Sequence, residues 1–245
     1  MPASLPLGLH NQTGLQMSPL QARELLEMQA ALPLPKLVMA DADALRRPYL
    51  REAGPLGSVP APTSLRGLAK AGIQTLSGAR PQVLIDTLCE RLNFERGSVR
   101  LYDAMLRKCE TVTLPALLSL DELRRLRDEE LAHVDLLVHA LLTLGADPTA
   151  MTPGGVVAGI EIMGLLQVLN EPRTTPTQCL HALLVAELTD VSSWDHLVQL
   201  AQSCRQTELV LRLESASHTE SAHAQRVSRW YREALLGDLQ WIRRH

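Results

Sequence analysis

The chain has 245 residues, 46% of them hydrophobic and only 3% aromatic, with a net charge of −3 and a sequence pI of about 6.2. An aliphatic core of this kind favours helix packed on helix over a β-sandwich, and the near-neutral balance argues against a nucleic-acid or membrane-surface binder. Cys89, Cys109, Cys179 and Cys204 form no Cys-x-x-Cys pair, which excludes a zinc knuckle or a rubredoxin-like iron centre and leaves four reduced thiols.

The first thirty residues show no basic stretch followed by an apolar run, and the twin arginines Arg46–Arg47 lie away from any long apolar stretch. No uncharged run reaches the length of a membrane-spanning helix. The expectation is a cytoplasmic protein with no membrane or nucleic-acid partner.

Residues 1–80 hold nine of the fifteen prolines, so regular structure is repeatedly interrupted there. Two short helices are expected. Ser18-Pro19-Leu20-Gln21 combines a cap serine, a proline at the first helical position and a glutamine at the capping-box position, and leads into Ala22–Leu32. Ser64–Leu76, entered through Thr63, is the second. This region reads as a proline-rich arm that packs on the main domain or on a partner subunit, with a disordered tail as the competing reading.

From Pro81 onward four apolar stripes follow one another, and residues 81–238 are expected to form an all-α four-helix bundle, with 239–245 as a tail. The first stripe is Leu88, Leu92, Glu95, Val99, Tyr102, Leu106 and Cys109; the second is Leu123, Leu126, Glu130, His133, Leu137, Ala140 and Leu144. The third is Leu180, Leu184, Glu187, Val191, Trp194, Val198 and Ala201; the fourth is Leu209, Leu213, Ala216, Glu220, His223, Val227 and Trp230. Spacings of three and four put each set on one helix face. Ser119-Leu120-Asp121-Glu122 is a capping box opening the second helix, Gly145 stands where that helix would end, and Thr175-Pro176-Thr177-Gln178 opens the third. The connection Ala146–Thr175 is too long for a tight turn and carries its own expected helix, Val156–Leu169. Gly155, Gly159 and Gly164 in it are read as permitting close packing, since their spacing makes no dinucleotide fingerprint.

Six polar residues fall on these stripes: Glu95, Glu130, His133, Glu187, Glu220 and His223. The motif Glu-x-x-His occurs twice, in Glu130–His133 and Glu220–His223, and residues three apart share a helix face with Cβ atoms roughly 5–6 Å apart. Burying one unpaired carboxylate costs several kcal/mol, so four would remove most of a domain's stability of about 5–15 kcal/mol. Two divalent cations cancel four carboxylates, and neutral imidazoles add ligands without charge. One glutamate, Glu-x-x-His, one glutamate, Glu-x-x-His is the ligand set of a dinuclear carboxylate site inside a helical bundle, and mixed oxygen and nitrogen ligation suits iron or manganese.

Other side chains receive blander readings. Tyr102 and Trp194 are assigned to core packing, with hydrogen bonding to the ligands or radical quenching as minor alternatives. His139, His181, His196 and His218 are read as surface or satisfied core residues, Glu161 and Asp190 as candidates to support the ligands, and Met105 and Met163 as core fillers. Arg91, Arg96, Arg100, Arg124, Arg127 and Arg212 lie mostly off the stripes and read as solvated.

With these residues in view, the chain resembles the ferritin-like superfamily of bacterioferritin, rubrerythrin and their relatives. The spacing of Glu95 and Tyr102, the two Glu-x-x-His pairs and the long crossover match. Locally, Glu129–His133, Leu144–Pro148, Glu171–Thr175 and Ala186–Asp190 look like bacterial ferritin-like domain proteins, over about residues 55 to 235. The resemblance implies a ferritin-like four-helix bundle with a crossover helix, Glu95 and Glu187 as terminal ligands, Glu130 and Glu220 as bridges, and His133 and His223 as terminal nitrogen ligands. It implies two iron ions, with manganese as the alternative, and no catalytic residues beyond the ligands. The second helix carries no methionine, so no haem is expected, and without a rubredoxin-like domain any electron donor is separate. The proline-rich arm disfavours a storage cage and points to a homodimer or small homo-oligomer. The functional expectation is a dinuclear protein reacting with O2 or H2O2, as a ferroxidase or in peroxidase-like detoxification. The alternative is a non-catalytic, stress-associated metal-binding protein.

Overall fold

Aliphatic stripes with capped ends become helices, and in the computed structural model every regular element among the described residues is helical. The structure describes residues 19–31, 42–61, 81–111 and 118–244. They fall into two compact units, one up to Pro55 and one from Leu56.

The first unit contains α1, Pro19–Ala31, and α2, Ala42–Glu52. Helix α1 begins at the expected proline, and Arg23 Nε donates to Glu27 Oε1 one turn on, at 3.0 Å. The prolines of the arm predict no helix around Pro48, but α2 forms with Pro48 inside it. A proline removes one intrahelical N–H, yet the residues on both sides keep their helical backbone. The helix expected over Ser64–Leu76 lies outside the described residues.

The second unit contains α3, Pro81–Cys109; α4, Leu120–Leu144; α5, Pro153–Asn170; α6, Pro176–Ser203; and α7, Thr207–Arg244. Helix α7 runs on to Arg244, through residues read from the sequence as a tail. The ends follow local chemistry. Gly145 closes α4 with φ 80°, a left-handed conformation that glycine adopts without a Cβ penalty, and Ala146 N–H donates to Leu141 O at 2.9 Å. Thr175 and Gln178 form the full reciprocal capping box at α6. At α4 only half of the expected box forms. Ser119 Oγ accepts from Glu122 N–H, while the Glu122 carboxylate turns to Arg226 and Arg125.

Two apolar clusters fill the unit. One is built around Leu101, Met105, Leu123, Leu180, Leu183, Val227 and Trp230. The other is built around Leu84, Leu88, Leu92, Leu137, Leu141, Leu197 and Leu213. Along the chain, α3 and α7 pass from the second cluster to the first, whereas α4 and α6 pass from the first to the second. Helices α4 and α6 are therefore parallel, and the connection between them must return along the length of the unit, as its length foretold. Helices α6 and α7, joined by Cys204–Gln206, pack most extensively, and α3 is covered by α4, α5 and α6.

Helix α5 lies on α3 at close range. A Cβ on Gly97 would come within 2.4 Å of Ile162, and one on Gly155 within 2.7 Å of Asn93 Nδ2. The close-packing role expected of three crossover glycines holds for Gly155 alone; Gly159 and Gly164 have nothing within 4 Å. They share the outward side of α5 with Val157, Ile160 and Met163, so Met163 is exposed and not a core filler, whereas Met105 is fully buried. By length and composition α5 is apolar enough to cross a membrane, with mean hydropathy 1.3 and one charged residue, Glu161.

Candidate metal centre

On each of α3, α4, α6 and α7 the polar stripe residues sit where one apolar cluster gives way to the other. Helix periodicity puts Glu95, Glu130 with His133, Glu187, and Glu220 with His223 on the inward faces, and the crossing of four helices brings them to one level. None of the six is more than 6% exposed. They form two overlapping groups, Glu95, Glu130, His133 and Glu220, and Glu130, Glu187, Glu220 and His223. Within each group one ligand atom per residue lies within 4.8 Å of the others. Glu130 and Glu220 belong to both groups. All six residues named from the sequence are thus brought together, and each group could hold a metal ion.

The donor atoms behave as a ligand set does. Glu95 Oε2, Glu130 Oε2, Glu187 Oε2, both Glu220 oxygens and His133 Nδ1 are buried without a directed hydrogen bond. His133 Nδ1 stands 2.6 Å from Glu220 Oε1, so two of these atoms face each other across a short gap without hydrogen-bond geometry. His223 Nδ1 lies 3.0 Å from Glu130 Oε1 and 3.5 Å from Glu220 Oε2. Buried polar groups without partners are rare in folded proteins, and these six are divided between the two groups, each of which could hold a cation.

In the metal-free chain, protons restrain the charge instead. Burial, and then the Glu220 charge, raise Glu130 well above the carboxylate range, and the same causes carry Glu187 to about 8. Burial also opposes the charge of Glu220, but the imidazoles of His133 and His223 outweigh it and hold this carboxylate at about 2. His223 is disfavoured as a cation by burial, yet Glu220, Glu187 and Glu129 bring it to about 9.

The aromatics do more than pack. Trp194 Nε1–H donates to Glu95 Oε1 at 2.8 Å, and the Tyr102 hydroxyl donates to Glu187 Oε1. Hydrogen bonding, a minor reading of both residues, is therefore realised, and Glu95 and Glu187 each have Oε1 held and Oε2 buried without a hydrogen bond. Aromatics seven residues after Glu95 and Glu187 were the sequence signal for it, since seven residues is two turns on the same face.

Among the neighbouring charged residues, Arg91, Glu161 and Glu129 stand differently from the sequence reading and Asp190 agrees with it. Arg91, read as solvated, is fully buried, 2.9 Å from Asp190 Oδ1 and 3.5 Å from Glu95 Oε1, with its guanidinium 4.4 Å over the Phe94 ring. Asp190 is buried and supports the site through Arg91, whereas Glu161 is exposed and takes no part. Glu129, which received no role, is half-exposed and lies 2.7 Å from His223 Nε2, which leaves Nδ1 for the interior. Arg91 is four residues before Glu95 and Asp190 three after Glu187. That spacing was the available signal, although covering of α3 on several sides is what buried Arg91. His139, His181, His196 and His218 are exposed, and the four thiols are free, with burial taking Cys109 to about 12.

No family model, curated protein or solved structure matches this chain.

Proposed function

We propose that this chain is a ferritin-like dinuclear metal protein that uses iron or manganese to react with O2 or H2O2, in ferroxidase or peroxidase-like protection. The observation that carries this reading is the pair of buried four-residue ligand groups sharing Glu130 and Glu220. The parallel α4 and α6 with a long crossover between them support the ferritin-like assignment. In this reading Glu130 and Glu220 would be shared between the two ions, Glu95 with His133 and Glu187 with His223 would complete each position, and the imidazoles would offer Nδ1.

When bound, two such ions supply electrons and Lewis acidity for reducing O2 or peroxide. The chain supplies the rest. Tyr102 and Trp194 orient the terminal carboxylates, Glu129 fixes the tautomer of His223, and the apolar clusters on both sides keep bulk water from the centre. Arg91 and Asp190 add one charge of each sign, so four carboxylates still balance two divalent cations. A second reading, a metal that serves only to stabilise the bundle, is favoured by the near-complete burial of all six residues.

Metal analysis after purification under iron- or manganese-supplemented conditions should give about two ions per chain, and Glu130→Ala, lacking a shared ligand, should retain at most one. A wild-type protein that binds no metal contradicts both readings. Anaerobic loading with Fe2+ followed by O2 or H2O2 separates them, since a reactive centre develops near-ultraviolet ferric absorption within seconds to minutes and a structural one stays silent.

A further inference from the structure

Resting on the dinuclear reading, we infer that the two metal positions are unequal: the position at Glu187 and His223 fills first and more tightly, and Arg91 makes the position at Glu95 and His133 the weaker one. The four helices supply similar ligands to both positions, so any difference must come from what touches those ligands. Glu95 Oε1 meets one donor and one cation, the Trp194 indole N–H at 2.8 Å and the fully charged Arg91 guanidinium, paired without hydrogen-bond geometry at 3.5 Å. Glu187 Oε1 meets one neutral donor, the Tyr102 hydroxyl. A carboxylate paired with a guanidinium donates less to a metal, and the same cation repels an incoming one.

Arg91 cannot readily withdraw. It is fully buried, its guanidinium lies over Phe94, and Asp190 holds its far nitrogen at 2.9 Å. Asp190 offsets the charge, but the guanidinium is the group that touches the ligand. The histidines differ in the same direction. His223 Nε2 is backed by the Glu129 carboxylate at 2.7 Å, which strengthens Nδ1 as a donor. The contacts of His133 with carboxylates are all made through Nδ1, toward the interior. Arg91 is thus a positioning residue that acts through Glu95, and Glu129 one that acts through His223.

The test is a calorimetric titration with Co2+, read in parallel by its visible absorption. Wild-type protein should bind two ions in steps at least tenfold apart, with the weaker step lost in His133→Ala and the tighter in His223→Ala. The double variant R91Q/D190N removes both charges together and should tighten the weaker step about tenfold, the scale of a buried charge contact partly offset by its counter-ion. Glu129→Gln, at a half-exposed position that leaves the fold intact, should weaken the tighter step about tenfold or more. Two equivalent wild-type steps, the reverse assignment in the histidine variants, or unchanged steps in R91Q/D190N or Glu129→Gln would overturn the inference while the metal centre stands. Absence of any Co2+ binding would overturn the dinuclear reading together with it.

Discussion

At the scale of single residues, the centre is a competition for lone pairs. Glu95 and Glu187 each spend one oxygen on an aromatic donor, and Glu220 spends neither on a directed hydrogen bond. The identity of these residues was legible because glutamate and histidine on an apolar stripe have no solvent to face. Arg91 was not legible in the same way, since a long cationic side chain beside a stripe ordinarily reaches water. With Glu187 at about 8 and His223 at about 9, both hold a proton at pH 7 in the metal-free chain, and both must lose it to ligate. Metal uptake is therefore expected to release more than one proton per chain, and affinity should rise with pH up to about 9, roughly tenfold per pH unit for each proton released. Calorimetry in buffers of different ionisation enthalpy counts those protons; a pH-independent affinity between 6 and 8 would contradict the assignment.

At the scale of elements, caps and stripes set where helices begin and end, and close approach sets how they pair. Thr175 with Gln178 and Gly145 did as local chemistry requires. Glu122 left its capping role because Arg226 on another helix offers a stronger partner, a choice that local sequence cannot contain. The glycines show the same division. Gly97 was passed over in the sequence and proves the tightest point between α3 and α5, whereas the noticed Gly159 faces open space. Gly97→Ala should therefore cost on the order of 1–3 kcal/mol by pushing Ile162 away. Gly159→Ala should stabilise by up to about 1 kcal/mol through helix propensity. Chemical denaturation of the two variants side by side measures the contrast; equal effects would mean that α5 does not seat on Gly97.

At the scale of the whole molecule, the six buried carboxylate and imidazole residues occupy the level at which two apolar clusters meet, so in the proposed dinuclear reading metal binding and stability are linked. An ion present at a hundred times its Kd adds about 2.7 kcal/mol per site, which for a domain of this size corresponds to roughly 5–10 °C in Tm. Scanning calorimetry with and without Mn2+ should show that rise, and Glu220→Ala, lacking a carboxylate common to both groups, should lose most of it. A rise that persists unchanged in Glu220→Ala would place the stabilising metal elsewhere.

The sequence by itself determined the helical class, the four stripes and the six inward polar residues, because helix periodicity converts spacing into a shared face without reference to any other element. It also determined that a long crossover was needed, from the length of the connection alone. Only the tertiary structure decided that the two Glu-x-x-His turns meet at one level, that Arg91 and Asp190 are sealed beside Glu95, and that Glu129 reaches His223. Those contacts lie between helices, and which side of a helix is covered twice depends on the packing of α5 and α6 on α3, a property of the assembled fold that no single helix encodes.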